Sequence, residues 1–120
     1  MTRACGLLTL IALALAVPAS AQTKPADAGA IERGRAVYQT WCATCHSAGD
    51  GMPGTAALRV KYKTQPAVSA VLTDRTDLTP ASIKLFVRKG VSVMPFFRKT
   101  EIGDADLDAM TLFLTRRGTP

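Results

Sequence analysis

The stretch that decides the fold is Cys42-Ala43-Thr44-Cys45-His46, which has the pattern Cys-x-x-Cys-His. Two thiols three residues apart can form thioether bonds to the two vinyl groups of one haem, and the histidine that follows can ligate the iron. The chain has only three cysteines and one histidine, so their clustering in this order is a specific signal. The motif predicts one haem c, covalently attached through Cys42 and Cys45 and ligated by His46.

Three other uses of the same residues fit the sequence less well. A disulfide between Cys42 and Cys45 would close a very short loop and would stabilise the fold little. A thioredoxin-type redox pair would lie beside a strand-helix-strand pattern, which the sequence does not contain. A structural zinc site needs four ligands, whereas the motif supplies two cysteines and one histidine.

Residues 1–21 have the features of a secretory signal peptide. The start is weakly basic, residues 6–17 are apolar but too few to span a bilayer, and Ala19-Ser20-Ala21 fits a cleavage site with small residues. We therefore expect a periplasmic protein with no stable membrane span after cleavage. Cys5 would be removed with the signal peptide.

The expected mature chain is basic. The full sequence has 15 Lys and Arg against 9 Asp and Glu, and removal of Arg3 leaves 14 basic residues and a net charge of +5. Two ionised haem propionates would lower this charge to about +3. Such a charge favours an acidic redox protein or an anionic surface as partner, through long-range electrostatic steering. Nucleic acid is not expected as a partner, because the basic residues are scattered and the aromatic residues are few.

A first helix is predicted over residues 30–41. Its apolar residues share one helical face: Ile31, Val37, Tyr38 and Trp41. Gly34 inside this helix costs about 1 kcal/mol relative to alanine, so it either weakens the helix without benefit or lets the backbone of a partner helix approach closely. The polar residues 22–28 are expected to form a flexible lead-in, and residues 29–120 to form one folded domain.

A second helix has clear signals at both ends. Thr79 is a good N-cap, Pro80 suits the first helical position, and Gly90 suits the end. Its buried stripe is expected to consist of Ile83, Phe86 and Val87.

A third helix is predicted to follow Asp104 and to end near Arg116, with acidic residues at its start and basic residues at its end. The segment between the first two helices, residues 47–79, is expected to be mostly loop, with a short helix at 67–72. No strand-rich sheet is predicted.

Methionine is the candidate for the second axial ligand. Met94 lies in a loop beyond the capped helix and precedes Pro95, which disfavours helical backbone at Met94. Met110 falls at helical spacing and is expected in the core, while Met52 is too close in sequence to His46 to reach the opposite haem face. A His46/Met94 pair would leave no open iron position and would favour electron transfer; the alternative is an open-site haem enzyme or gas-binding haem protein.

The motif after an N-terminal helix, the Met-Pro pair in a late loop and the closing helix together resemble the class I c-type cytochromes. The similarity covers roughly residues 30–115. It implies a mainly α-helical fold in which three principal helices and their loops wrap around one covalently attached haem. It also implies that the first and last helices cross at Gly34 and Phe113.

The resemblance implies two further cofactor-binding residues. Pro53 matches the proline whose carbonyl accepts the Nδ1 proton of the haem-ligating histidine, here His46, although no Pro-x-Leu follows it. An ordinary turn proline is the alternative. Arg75 is a candidate for binding a haem propionate, with Tyr62 and Trp41 as rivals for that role.

A narrower similarity concerns residues 75–102, RTDLTPASIKLFVRKGVSVMPFFRKTEI, and the closing helix. They are similar to the small cytochrome subunits that serve flavoprotein dehydrogenases, such as the one in para-cresol methylhydroxylase. This similarity implies a partner enzyme that oxidises an organic substrate and passes single electrons to the haem. The chain itself would then be an electron carrier without catalysis of its own.

The residues after the proposed ligand loop combine an aromatic ring with positive charge. Phe96 precedes Arg98 and Lys99, a combination that suits transient docking of a redox partner near the haem edge. Alternatively, Phe96 packs on the haem and the two cations are merely solvated.

Overall fold

The computed structural model of the chain describes residues 25–116, and this part consists of five α-helices joined by loops. The helices are α1 (Pro25–Trp41), α2 (Ala43–His46), α3 (Pro53–Lys61), α4 (Pro80–Lys89) and α5 (Asp104–Arg116), and a 3₁₀ turn covers Leu72–Asp74. Within these residues the only strand-like pairing is an isolated bridge between Val91 and Met94. The predicted mainly α-helical fold class is confirmed, with two short helices more than the three that were expected.

Helix α1 begins earlier than predicted. It starts at Pro25 instead of residue 30, so residues 25–28 are helical and do not form a flexible lead-in. Proline suits the first turn of a helix, and Asp27 in that turn complements the helix dipole and pairs with Arg116 of α5 at 3.4 Å. The rest of the predicted lead-in and the predicted signal peptide lie outside the described residues.

The segment between α2 and α4 differs most from the prediction. The sequence GMPGT, expected as part of a loop, contains the start of α3, with Pro53 in the first helical turn. The short helix expected at 67–72 is absent from this described segment, which forms turns and bends there. One reason is local: the Ser69 hydroxyl accepts the Val71 N–H at 3.1 Å and so competes with helical hydrogen bonding.

Helix α4 has the predicted ends. The Thr79 and Ser82 side chains each accept the other's backbone N–H at 3.2 Å, and Gly90 ends the helix with φ of 67°. Ile83 and Val87 are buried as predicted, but Phe86 is 41% exposed. The prediction for Phe86 is wrong because the packed stripe of α4 is narrow and its buried residues are four positions apart.

Helices α1 and α5 form the main contact of the described fold. A Cβ atom on Gly34 would lie 2.0 Å from the carbonyl oxygen of Ala109, so the two backbones touch there. One turn further on, the rings of Tyr38 and Phe113 pack with their centroids 5.7 Å apart. The expected crossing at Gly34 and Phe113 is therefore confirmed.

The hydrophobic core surrounds this crossing. Its most deeply buried side chains, each no more than 3% exposed, are Tyr38, Ile102, Leu107, Met110, Phe113 and Leu114. The core role predicted for Met110 is confirmed. None of the helices within residues 25–116 has both the length and the apolar character needed to cross a bilayer.

We predict that Gly34→Ala destabilises the haem-loaded protein by about 1–3 kcal/mol, because the added methyl group forces α1 and α5 apart. The matched control is Gly29→Ala in the same helix, where the new Cβ meets nothing within 4 Å. This control should gain about 0.5–1 kcal/mol from helix propensity. Urea unfolding measures both changes, and equal stabilities for the two variants would contradict the close crossing.

Candidate functional site

The attachment motif directly continues helix α1. The backbone N–H of Cys42 donates to the Tyr38 carbonyl at 2.9 Å, and the N–H of His46 donates to the Cys42 carbonyl at 2.9 Å. The Tyr38 hydroxyl donates to the His46 carbonyl at 3.0 Å. The backbone of the motif is therefore held from both ends by a residue of the α1–α5 core.

The two cysteines of the motif lie in different surroundings. Cys42 is 8% exposed and its Sγ lies 3.5 Å from Sδ of Met110, whereas Cys45 is exposed. Burial, and then the neighbouring Cys45, raises the pKa of the Cys42 thiol to about 11. Cys42 is the N-cap of α2 and Cys45 lies within this helix, so the two sulfurs are carried by one short segment, as attachment to a single haem requires.

The imidazole ring of His46 is held against helix α3. A Cβ atom on Gly54 would lie 2.6 Å from Cε1 and 2.8 Å from Nδ1 of this ring. Burial lowers the pKa of His46, which favours the neutral imidazole that metals bind. Gly54 was not predicted as a site residue. The sequence shows only that it follows Pro53 in a short stretch rich in glycine, which does not indicate a contact with His46.

The predicted hydrogen bond from His46 to Pro53 is not formed. Nδ1 of His46 is buried and has no hydrogen-bond partner among the described residues. The physical reason is that Pro53 is the first residue of α3, so its carbonyl points along the helix axis as an acceptor for helical N–H groups. In this arrangement Pro53 starts the helix that carries Gly54 to the ring.

Thr55 fixes the start of α3 beside the motif. Its side chain is fully buried, at 0% exposure, and its hydroxyl donates to the Ser47 carbonyl at 2.8 Å. Because Ser47 directly follows His46, this bond holds Gly54 against the imidazole. Thr55 was not predicted as a site residue, since its role depends on a contact between two helices.

Met94 lies in a tightly closed loop after α4. Val91 and Met94 exchange two backbone hydrogen bonds, of 3.1 and 2.9 Å, and Ser92 between them has a positive φ of 53°. A Cβ atom on Gly90 would lie 2.7 Å from the Met94 carbonyl oxygen. The Met94 side chain is partly buried and packs against the core. The loop therefore presents Met94 in one defined backbone conformation.

An aromatic contact joins the two segments that carry the proposed iron ligands. The rings of Trp41 and Phe97 meet edge to face with their centroids 5.9 Å apart. Trp41 directly precedes Cys42, and Phe97 follows Met94 in the same loop. The Phe97 N–H donates to the Val87 carbonyl of α4 at 2.8 Å, which fixes the far end of the loop.

Arg75 forms a compact cluster with Asp77 and Tyr62. Its side chain is 7% exposed, and two of its nitrogens donate to the Asp77 carboxylate at 2.9 and 2.5 Å. Its guanidinium lies 4.7 Å from the centre of the Tyr62 ring. The hydrogen bond from Arg75 lowers the pKa of Asp77, and a hydrogen bond between Arg75 and Tyr62 lowers the pKa of Tyr62. Two of the three residues considered for propionate binding thus meet, while Trp41 packs elsewhere.

The residues after Met94 form the surface that was considered for docking. Phe96 is 61% exposed. Arg98 pairs with Glu101 at 3.0 Å, and Lys99 pairs with Asp104 at 2.7 Å. The positive charge expected on this surface is therefore balanced by carboxylates.

We predict that Asp77→Asn costs about 1–2 kcal/mol at neutral pH, because it leaves the buried Arg75 with a weaker acceptor. The pKa of Asp77 is held below its usual 3.8, so its stabilising effect is present above that pH and is lost as the pH falls through the lowered value. The difference in unfolding free energy between wild type and Asp77→Asn should therefore shrink as the pH falls through this range. Unfolding from pH 7 to pH 2.5 tests this, and the exposed Asp74→Asn is the control. A pH-independent difference would contradict the pairing.

Comparison with known proteins agrees with this geometry. The family model described as cytochrome c oxidase, cbb3-type, subunit III matches residues 29–114. The matched region includes the Cys-x-x-Cys-His motif, Gly54 and Met94. Searches of the curated proteins and of the solved structures found no match.

The family match covers most of the chain. It contains the helix pair, the attachment motif and the loop that carries Met94, so the resemblance to c-type cytochromes is confirmed. We conclude that the chain belongs to the family of cytochrome c oxidase, cbb3-type, subunit III, and that it is a c-type cytochrome domain, a haem protein of electron transfer.

Proposed function

We propose that the chain is a periplasmic electron carrier with one haem c, attached through Cys42 and Cys45 and ligated by His46 and Met94. It accepts electrons from a dehydrogenase and passes them to the respiratory chain. The signal-like residues 1–21 support export. The similarity of residues 75–102 to cytochrome subunits of flavoprotein dehydrogenases supports a flavoprotein as the donor.

The observation that carries the proposal is the Trp41–Phe97 contact, with ring centroids 5.9 Å apart. Through this contact the segment with His46 and the loop with Met94 pack on each other. A histidine and a methionine from two segments fixed in this way are suited to bind one iron from two sides. The haem, when bound, supplies the one-electron redox chemistry.

The residues around His46 prepare its ring for ligation. Burial lowers the pKa of His46 and so favours the neutral imidazole, the Tyr38 hydroxyl holds the His46 backbone carbonyl, and the absence of a side chain at Gly54 leaves room for the ring. The Nδ1 atom of this ring is buried and has no partner in the described part of the chain, so packing against α3, and not a hydrogen bond, sets the orientation of the ring. A ring held by packing in this way can present its other nitrogen to a metal.

Ligation by both His46 and Met94 is what would distinguish an electron carrier from an open-site haem protein. A thioether is a soft ligand that favours reduced iron, so Met94 would raise the reduction potential relative to a second histidine. With both axial positions occupied by the chain, no position would remain for a gas or a substrate.

The remaining site residues have supporting roles in the proposal. Arg75 is oriented by Asp77 and Tyr62, which preorganises its guanidinium for a haem propionate. The pairing with Asp77 uses two of its five N–H donors. Pro53 starts helix α3 and so positions Gly54 beside the His46 ring.

We predict that the wild-type protein has a low-spin, six-coordinate haem that does not bind carbon monoxide, and that Met94→Ala makes it high-spin and reactive with carbon monoxide. The reason is that alanine offers no ligand atom at this position. Visible spectra in both redox states, with and without carbon monoxide, measure the change. Met52→Ala is the matched control and should leave the spectra unchanged.

Spectra of a high-spin wild-type haem would favour the alternative function, an open-site haem enzyme or gas-binding haem protein. If the wild-type haem is already high-spin, or if Met94→Ala changes neither spin state nor carbon monoxide binding, the site is open and the carrier proposal fails. A protein that stays colourless after expression with an intact haem maturation system would contradict haem attachment itself.

A further inference from the structure

Most cations in the described part of the chain have a carboxylate partner. The pairs between or within helices are Arg33–Asp106, Arg35–Glu32, Lys84–Asp108, Arg88–Asp104 and Arg116–Asp27. Arg75, Arg98 and Lys99 in the loops are paired as well. Within residues 25–116, the uncompensated positive charge therefore belongs to the few cations without such a partner.

The unpaired cations concentrate at one place. Within residues 25–116, Arg59, Lys61, Lys63 and Lys89 have no carboxylate partner within 4 Å. All but Lys89 fall in the stretch RVKYK at the end of α3. We call the exposed residues of this stretch, Arg59, Val60, Lys61 and Lys63, the α3 cationic surface.

We propose that the α3 cationic surface is the docking site for an acidic protein partner, one that presents carboxylates around a small apolar contact. The proposal rests on the proposed electron-carrier function and adds the place where the partner binds. It is distinct from the surface formed by Phe96, Arg98 and Lys99, whose cations already have intramolecular partners.

The positive charge of this surface is larger than the partial negative charge at the C-terminal end of helix α3. Cations at the end of a helix are favoured by the macrodipole, which is equivalent to about −0.5 elementary charge at that end. Arg59, Lys61 and Lys63 contribute three full positive charges, so most of the charge is left for an external partner. Charges on the far side of the fold are screened, because the Debye length is about 8 Å at physiological salt.

The surface also has an apolar component. Val60 is 72% exposed, adjoins Arg59 and Lys61 in the sequence, and precedes Lys63 by three residues, the spacing of side chains on one side of a helix. A protein interface gains from such a contact because apolar burial adds to the attraction between opposite charges. Lys61 additionally lies 5.4 Å from the centre of the Tyr62 ring, which holds its ammonium group near the helix end.

Helix α3 connects this surface to the haem-binding residues. Its first turn is bonded to Ser47 through Thr55, and Gly54 touches the His46 ring. From Gly54 to Lys61 the helix rises by about 10 Å, at 1.5 Å per residue. A partner bound at the end of α3 is therefore held at a short and fixed distance from His46.

The test compares two charge reversals of equal size in the haem-loaded protein. Arg59→Glu with Lys63→Glu changes the α3 cationic surface, and Arg98→Glu with Lys99→Glu changes the paired surface by the same net charge. Both pairs are exposed, and surface ion pairs contribute only about 0–1 kcal/mol, so both variants should fold. The probe is a gold electrode coated with a carboxylate-terminated layer, with a hydroxyl-terminated layer as control.

We predict that the α3 variant adsorbs to the carboxylate layer about tenfold less than wild type at low ionic strength, in line with the range for electrostatic steering. The Arg98/Lys99 variant should retain most of its adsorption. Equal losses in both variants would mean that only net charge matters, and no loss in the α3 variant would mean that the surface is not used. Either result overturns the proposal.

Two further measurements separate this proposal from its alternatives. The voltammetric wave on the same electrodes reports the haem, so a wild-type protein without any wave would refute the electron-carrier function instead of the docking site. Vesicles of phosphatidylcholine and phosphatidylglycerol test a membrane. Binding to these vesicles without adsorption to the carboxylate layer would assign the surface to lipid and overturn the proposal of a protein partner.

Discussion

The fold depends on the direct contact between the backbones of α1 and α5. Gly34 allows this contact, because any side chain there would collide with the Ala109 carbonyl. The close approach places Tyr38 against Phe113 and, at the end of α1, the Cys42 sulfur 3.5 Å from the Met110 sulfur. The attachment motif thus starts where this helix pair ends, and its first cysteine is part of the core. Cys42 therefore contributes both to the packing of the core and to the predicted attachment of haem.

Those parts of the fold that have local causes could be predicted from the sequence. Thr79 and Gly90 define the ends of α4 through their own hydrogen bonding and backbone freedom. Met110 was recognised as a core residue from its helical spacing, whereas the crossing at Gly34 was implied by the resemblance to c-type cytochromes. The Cys-x-x-Cys-His pattern indicates its cofactor because the chemistry of attachment itself requires this spacing.

Features that depend on tertiary contacts could not be predicted in this way. The sequence GMPGT resembles a turn, yet Thr55 finds a buried acceptor at Ser47 and the segment starts a helix against the His46 ring. Arg75 remains a predicted propionate-binding residue, but its contacts with Asp77 and with the Tyr62 ring arise only in the folded chain and were not predicted. Phe86 has a helical position compatible with burial, but α5 does not cover it.

The two ends of helix α3 lie in different environments: its start packs against His46 and its end carries exposed cations. Its first turn lies beside the buried ring of His46, whose pKa is lowered by burial, and the contacts of Gly54 and Thr55 hold this turn in place. Its last turn lies in water, where charges interact weakly with the ring and are screened over about 8 Å at physiological salt. Because about 10 Å of rigid helix lies between them, changes in surface charge can alter partner attraction while the packing around the imidazole stays the same. With a partner docked at the end of α3, as proposed, a change of charge there would leave the contacts of Gly54 and Thr55 in place.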